Sequence, residues 1–261
     1  MAEHKQFKYY FDKELAKLLS AKIETVYPEF ESKKFINKID SKTKDLELKA
    51  RVEVITDALY EFLPSNYKDG VKILLQILGA ENKKETGMFK EGYWLMPVAL
   101  YVEKYGLRDF DISIKAIEEI TKRNTGEYAI RPFIIKYTDK TLEEMLKWSK
   151  SRNFHLRRLS SEGLRPRLPW AKKLDIFIED PAPTVEILDN LKSDSSLFVR
   201  KSVANHLNDL LKENYNFTIK VIKEWSKNPS KETKWIIKHS LRNEIKKKNE
   251  EAVQLLKIIN I

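Results

Sequence analysis

The sequence has no cysteine, which excludes disulfides, thiolate catalysis and cysteine-ligated zinc. Its 4 histidines are scattered, so a histidine-based metal site is not expected. Glycine and proline are sparse, at 7 and 9 residues, and no stretch is rich enough in them or in serine to act as a dividing linker. No apolar run reaches the roughly 18 residues a membrane span requires. The first ten residues, MAEHKQFKYY, are polar and lack the apolar core of a secretory signal. A glycine-rich phosphate loop, a Gly-x-Ser-x-Gly elbow and a His-Glu-x-x-His motif are all missing. The lysines are too numerous to single one out as a Schiff-base nucleophile. The expectation is a cytoplasmic protein with no membrane association, no metal and no cofactor.

What is present is a core and an excess of positive charge. Hydrophobic residues make up 42% of the 261, and the net charge is +10. The excess is uneven: residues 1–150 carry 27 basic and 25 acidic side chains, residues 151–261 carry 22 and 14. A one-sided surplus suits a polyanion such as nucleic acid, although a lysine-rich surface without such a partner fits equally well.

Nearly every segment reads at helical period. KELAKLLSAKIETVY (13–27) puts Leu15, Leu18, Leu19 and Ile23 on one face, and LELKARVEVITDALYEFL (46–63) does the same with Leu48, Val52, Ile55, Leu59 and Leu63. Further helices are predicted at roughly 70–78, 92–104 and 111–122. Stretches alternating at period two are absent, so a sheet is not expected. The second half repeats itself in 17-residue units: WSKSRNFHLRRLSSEGL from Trp148, LKSDSSLFVRKSVANHL from Leu191 and WSKNPSKETKWIIKHSL from Trp225. A looser copy starts at Ile120, and the starts are separated by 28, 43 and 34 residues. Each unit follows an apolar helix, so the pattern is that of HEAT-like helix pairs. One pair cannot bury its apolar face alone, and stacking is the remedy. We expect an all-α fold: a right-handed superhelical solenoid of antiparallel HEAT-like repeats in a single domain over 1–261. Its N-terminal helical part covers 1–110 and its clearer repeats 111–261. An ordinary helical bundle is the competing arrangement.

The stretch HLRRLSSEGLRPRLPW (155–170) carries the most unusual chemistry. Arg158, Glu162 and Arg165 are spaced i, i+4, i+7 and would share one helical stripe. That stripe is either a surface ion-pair ladder or a set of arginines that hold phosphates around one carboxylate. Pro166 and Pro169 would let the chain leave the helix extended, with Trp170 starting the next. Trp170 is then either a staple of that helix or an aromatic contact for a base or sugar. In the following unit Asn205, Asn208 and Asp209 share one helix side, which is either solvated or functional. Glu127, in Thr125-Gly126-Glu127, either complements a helix dipole or adds a third acid.

EYAIRPF, RRLSSEGLRPRLPWAKKL, DPAP and VRKSVANHLNDL, in this order, resemble the AlkC branch of the AlkC/AlkD DNA glycosylases. LELKARVEVITDAL and GYWLMPVALYVEKYGL extend the similarity over nearly the whole chain. The resemblance implies a bacterial enzyme that excises cationic alkylated bases, chiefly 3-methyladenine, from double-stranded DNA in base excision repair; a monomer is expected. It implies excision without base flipping; water as nucleophile and no lyase step are expected, since no lysine stands out as an attacking amine. It implies catalytic roles for Asp209, Glu162 and Glu127, a lesion or sugar contact for Trp170, and a DNA contact for Arg158; Arg165, Arg200 and Lys201 would hold flanking phosphates. The immunoglobulin-like domain that some relatives carry after the repeats is not expected here. A non-catalytic nucleic-acid-binding module and a protein-interaction scaffold remain the alternative functions.

Overall fold

The computed structural model describes residues 5–87 and 92–260. Residues 1–4 and Ile261, which belong to the reading of the chain's two ends, lie outside the described residues. No strand occurs among the described residues, and no helix there is long and apolar enough to cross a membrane. The chain forms two compact units, Met1–Lys83 with Gly87–Ile130 and Lys84–Thr86 with Arg131–Ile261.

The first unit holds α1 (Lys13–Glu24), α2 (Ser32–Lys42), α3 (Leu48–Phe62), α4 (Tyr67–Gln76), α5 (Met96–Tyr105) and α6 (Phe110–Thr121). The predicted helices are all here. The sequence reading passed over α2, whose core contacts are confined to Phe35 and Ile39. Sequential packing of α1 on α2, α2 on α3, α3 on α5 and α5 on α6 builds the core. Leu15, Leu19, Ile23, Ile55 and Leu59, from the stripes read in the sequence, are fully or nearly fully buried in it. Each such side chain contributes about 1.5–3 kcal/mol of apolar transfer.

The second unit holds α7 (Arg131–Lys136), α8 (Thr138–Ser149), α9 (Phe154–Glu162), α10 (Asp175–Glu179), α11 (Ala182–Leu191), α12 (Leu197–Glu213), α13 (Tyr215–Trp225), α14 (Lys231–Ser240), α15 (Arg242–Lys246) and α16 (Glu250–Ile258). The 17-residue units map onto the ends of α8, α11 and α13, a polar turn, and then α9, α12 and α14. Their boundary residues Trp148, Leu164, Leu191, Leu207, Trp225 and Leu241 are all buried. The first helices meet each other, α8 on α11, and the second helices form a row, α9 on α12 on α14. This is the stacking of helical repeats. The second helices start on side-chain caps: Asn153 accepts from the His155 amide, Ser196 from Val199 and Ser230 from Thr233.

Helix α12 lies at the centre of the unit, between α9 and α14. Ten of its 17 residues are buried, among them the polar Ser202, His206, Asn208 and Asp209. A helix buried on several sides places polar residues in its core only where partners await them. Those partners define the site.

Candidate functional site

Helix α9 ends at Glu162, earlier than the i, i+4, i+7 reading assumed. Arg165 therefore stands beyond the helix, in the turn that follows. The cause is Pro166: it supplies no amide, and it disfavours helical geometry at Arg165. The freed carbonyls find a donor that the sequence did not announce. Arg131, buried on α7, donates from Nη1 to the carbonyls of Gly163 (3.0 Å) and Arg165 (2.9 Å), and from Nη2 to that of Lys172.

From this position the Arg165 guanidinium joins two carboxylates. Its Nη1 donates to Glu162 Oε1 at 2.7 Å and its Nε to Asp209 Oδ2 at 2.8 Å. Arg165 is itself only 8% exposed, so its expected role as a phosphate-holding arm gives way to that of a bridge inside the protein. Asp209 is buried as well, at 5%, which corrects the reading of its helix face as solvated.

The two carboxylates are held differently. Glu162 is fixed at both oxygens: the Ser202 hydroxyl on α12 donates to Oε2 at 2.6 Å, and Arg158 Nη2 lies 3.6 Å from Oε1. Burial opposes its charge, but the Arg158 and Arg165 charges and the Ser202 hydrogen bond outweigh it, and its pKa falls below the ordinary value of 4.5. Asp209 has Arg165 on one oxygen. Its Oδ1 has, among the described residues, the Lys212 ammonium at 3.9 Å, too far for a hydrogen bond. Burial raises its pKa above 3.8 against the pull of Arg165 and Lys212, with Glu162 adding to the rise.

His206 lies one turn from Asp209 on the same face of α12 and is fully buried. Its Nδ1 is 3.0 Å from the Ser161 carbonyl. A carbonyl only accepts, so Nδ1 carries a proton. Burial first, then the Arg165 charge, pushes its pKa down to about 3. Thus Ser202, His206 and Asp209, at i, i+4 and i+7, all grip the end of α9. Sequence reading singled out Asp209 alone; the spacing was visible, but two small or neutral residues carry no charge signal.

The remaining expected residues divide. Arg158 is half-buried, with its guanidinium carbon 4.7 Å from the centre of the Phe198 ring. Arg200 Nη1 donates to the carbonyls of Asp194 (2.7 Å) and Ser195 (2.8 Å), and Lys201 is exposed beside it on α12. Trp170 does not start a helix: α10 begins at Asp175, and Trp170 occupies a turn with φ of 63°. It is 68% exposed, the most exposed of the large hydrophobic side chains described. A left-handed backbone at a bulky residue carries strain. Glu127 belongs to the first unit. It is buried at 5% in the turn between α6 and α7 and accepts from the Thr125 hydroxyl at 2.7 Å. Gly126 makes that turn possible, since a Cβ there would meet Thr121 Oγ1 at 2.6 Å and Ile117 Cγ2 at 2.8 Å. No group of three or more His, Cys, Asp or Glu side chains among the described residues could hold a metal ion.

The second unit thus combines stacked helical repeats, arginine-tethered buried carboxylates and basic residues on one helix. The family model for the DNA alkylation repair enzymes matches residues 97–243, and the chain belongs to this family. The uncharacterized protein YhaZ of Bacillus subtilis is 38% identical over 246 residues, which is 94% of this chain and 66% of YhaZ. The structure of Pseudomonas fluorescens alkylpurine DNA glycosylase AlkC bound to DNA containing an abasic site analog matches with a TM-score of 0.87 at 35% identity. That match covers 97% of this chain and 68% of that one. The chain thus spans about two thirds of the length of these relatives.

Proposed function

We propose that the protein is a monofunctional DNA glycosylase that removes cationic alkylated purines, 3-methyladenine foremost, from double-stranded DNA without drawing the base into a pocket. The observation that carries this reading is the Arg165 bridge. It holds two buried carboxylates from adjacent repeats in unlike environments, one fixed as a charge and one left able to take a proton. Pairs of acids whose surroundings push their pKa values apart are how proteins divide acid–base work.

A methylated purine with a positive charge leaves as a neutral base, so it needs no acid to help it depart. The C1′–N bond breaks, and positive charge grows on the deoxyribose. Glu162, ionised and immobile, stabilises that charge without having to reorganise. Asp209 accepts a proton from the water that adds to C1′, with Oδ1 as the receiving atom. The products are the free base and an abasic deoxyribose. Trp170 presents its ring to the sugar or the lesion, where a π face favours a cation. Of Glu162's partners, Arg158 is the more distant arginine. A DNA phosphate competes for it and leaves the carboxylate's charge less compensated. Arg200 and Lys201 hold backbone phosphates, and Glu127 is the third acid assigned to catalysis.

Methylated DNA is incubated with the protein and the released bases are separated by chromatography. Release of 3-methyladenine supports the reading; a folded protein that binds DNA and releases no base refutes it.

A further inference from the structure

Beyond the carboxylates, α12 and α14 share a surface of which the proposed function uses only Arg200 and Lys201. Trp235 and His239, one turn apart on α14, stack with ring centres 4.8 Å apart and planes 13° apart. Arg200 of α12 lies over the other end, its guanidinium carbon 5.8 Å from the Trp235 ring centre. At the near end Arg242, first residue of α15, donates to the His239 carbonyl (2.7 Å) and to Asn205 Oδ1 (2.9 Å). Lys201 is exposed on α12 one turn before Asn205, and Lys238 is exposed next to His239. The result is a row of cations on an aromatic floor. It leads toward Asp209, whose charge acts on Arg242.

We propose that Arg200, Lys201, His239 and Arg242, floored by Trp235, form a second binding platform that takes a DNA phosphodiester beside the reactive carboxylates, and that His239 gains a proton when the phosphate arrives. The proposal rests on the glycosylase reading only in naming DNA as the polyanion. Four basic groups from three helices meet carboxylates only at their margins, Glu232 beside Arg200 and Asp209 acting on Arg242, and the surplus of positive charge between them suits an anion. Planar guanidinium groups suit a phosphate's paired oxygens. The groups that face His239 are Arg242 from α15, Lys201 from α12 and Trp235 on its own helix. Glu232 lies at the far end of α14, next to Arg200. Burial first, then Arg242 and Lys201, holds His239 neutral by lowering its pKa below 6.5. A phosphate cancels the two cationic contributions and adds one of opposite sign, so protonation becomes favourable in the complex. Linkage then makes binding tighter as pH falls through the value His239 has in the complex.

The test is fluorescence anisotropy of an undamaged labelled duplex with the whole chain, across pH 6 to 8 and a salt series. For the wild type, Kd falls by about tenfold for each unit by which bound DNA raises the histidine's pKa. In His239→Gln this pH dependence flattens. In Lys201→Gln, an exposed change that leaves the fold intact, the slope of log Kd on log salt shrinks by about 0.9. A His239→Gln profile that superimposes on the wild type, or an unchanged slope in Lys201→Gln, overturns the platform. Base release from methylated DNA by the wild-type protein is measured separately. Its absence removes the glycosylase reading and leaves the platform's own outcome readable.

Discussion

The Ser202 hydroxyl donates to Glu162 Oε2 at 2.6 Å, joining the second helices of two successive repeats at a buried charge. Glu162 is at the last turn of α9, and Ser202 is two turns before Asp209 on α12. The bond therefore fixes the distance between the two carboxylates as well as the orientation of one. Ser202→Ala leaves a buried carboxylate short of one donor, at a cost of about 1–3 kcal/mol. Single-turnover base release is expected to slow by about tenfold or more, with duplex binding unchanged. Ser202→Thr, which keeps the hydroxyl, restores the rate.

Arg165 hydrogen-bonds both acids. Removing one partner from a buried ionic network costs about 3–5 kcal/mol, because the charges left behind have no compensation. Arg165→Met is expected to lower the thermal midpoint substantially, as followed by circular dichroism. Arg165→Lys keeps the charge but reaches only one carboxylate at a time. Its stability recovers part of the loss while its rate of base release does not.

The acid limb of the rate belongs to Asp209. Its pKa is raised above 3.8 by burial, whereas that of Glu162 lies below 4.5. As pH falls, protonation removes Asp209's ability to accept a proton from water, and burial brings this on at a higher pH than for an ordinary aspartate, while the arginines and Ser202 hold Glu162 ionised below its ordinary range. The single-turnover rate is therefore expected to fall along one titration, above pH 3.8. A limb that needs two protons would assign the base role to both acids.

His206 ties stability to pH in the same direction as a salt-bridged carboxylate, but its contribution begins to fall at a higher pH. Its pKa is about 3 folded against 6.5 when unfolded, so between these values the unfolded chain binds more protons. Stability is fully present above pH 6.5 and is lost as pH falls, with a limiting slope of about 1.4 kcal/mol per pH unit from this residue. His206→Asn keeps a donor for the Ser161 carbonyl and cannot titrate. Urea unfolding at pH 7 and pH 5 is expected to show a smaller loss in that variant than in the wild type.

Trp170 sets function against stability. Its φ of 63° suits glycine, and its ring is mostly in solvent. Trp170→Gly relieves a backbone strain of about 1 kcal/mol and is expected to leave the thermal midpoint equal or higher. Base release should drop sharply in the same variant.

The repeats were legible because their signal is hydrophobic and periodic. The six apolar residues that bound the 17-residue units are buried, and the polar turns between them are turns. The identity of Glu162 and Asp209 as special acids came from resemblance, since spacing alone allowed a solvated ladder. Their wiring was not legible. Arg165 looked like a helical residue because its i+7 spacing fits, and one proline in the next position moved it off the helix and into the bridge. Arg131, Ser202 and His206 act across elements far apart in sequence, as donors to carbonyls or to a single oxygen. A linear pattern of charge and hydropathy does not register such pairings.

The most direct test of the account compares wild-type protein with Asp209→Asn on one methylated duplex, measuring base release under single-turnover conditions and affinity in parallel. The account predicts that Asp209→Asn binds the duplex at least as tightly as the wild type, since a negative charge is removed, and releases 3-methyladenine at least about a hundredfold more slowly. Equal release rates at equal affinity would contradict the assignment of Asp209 as the group that activates water.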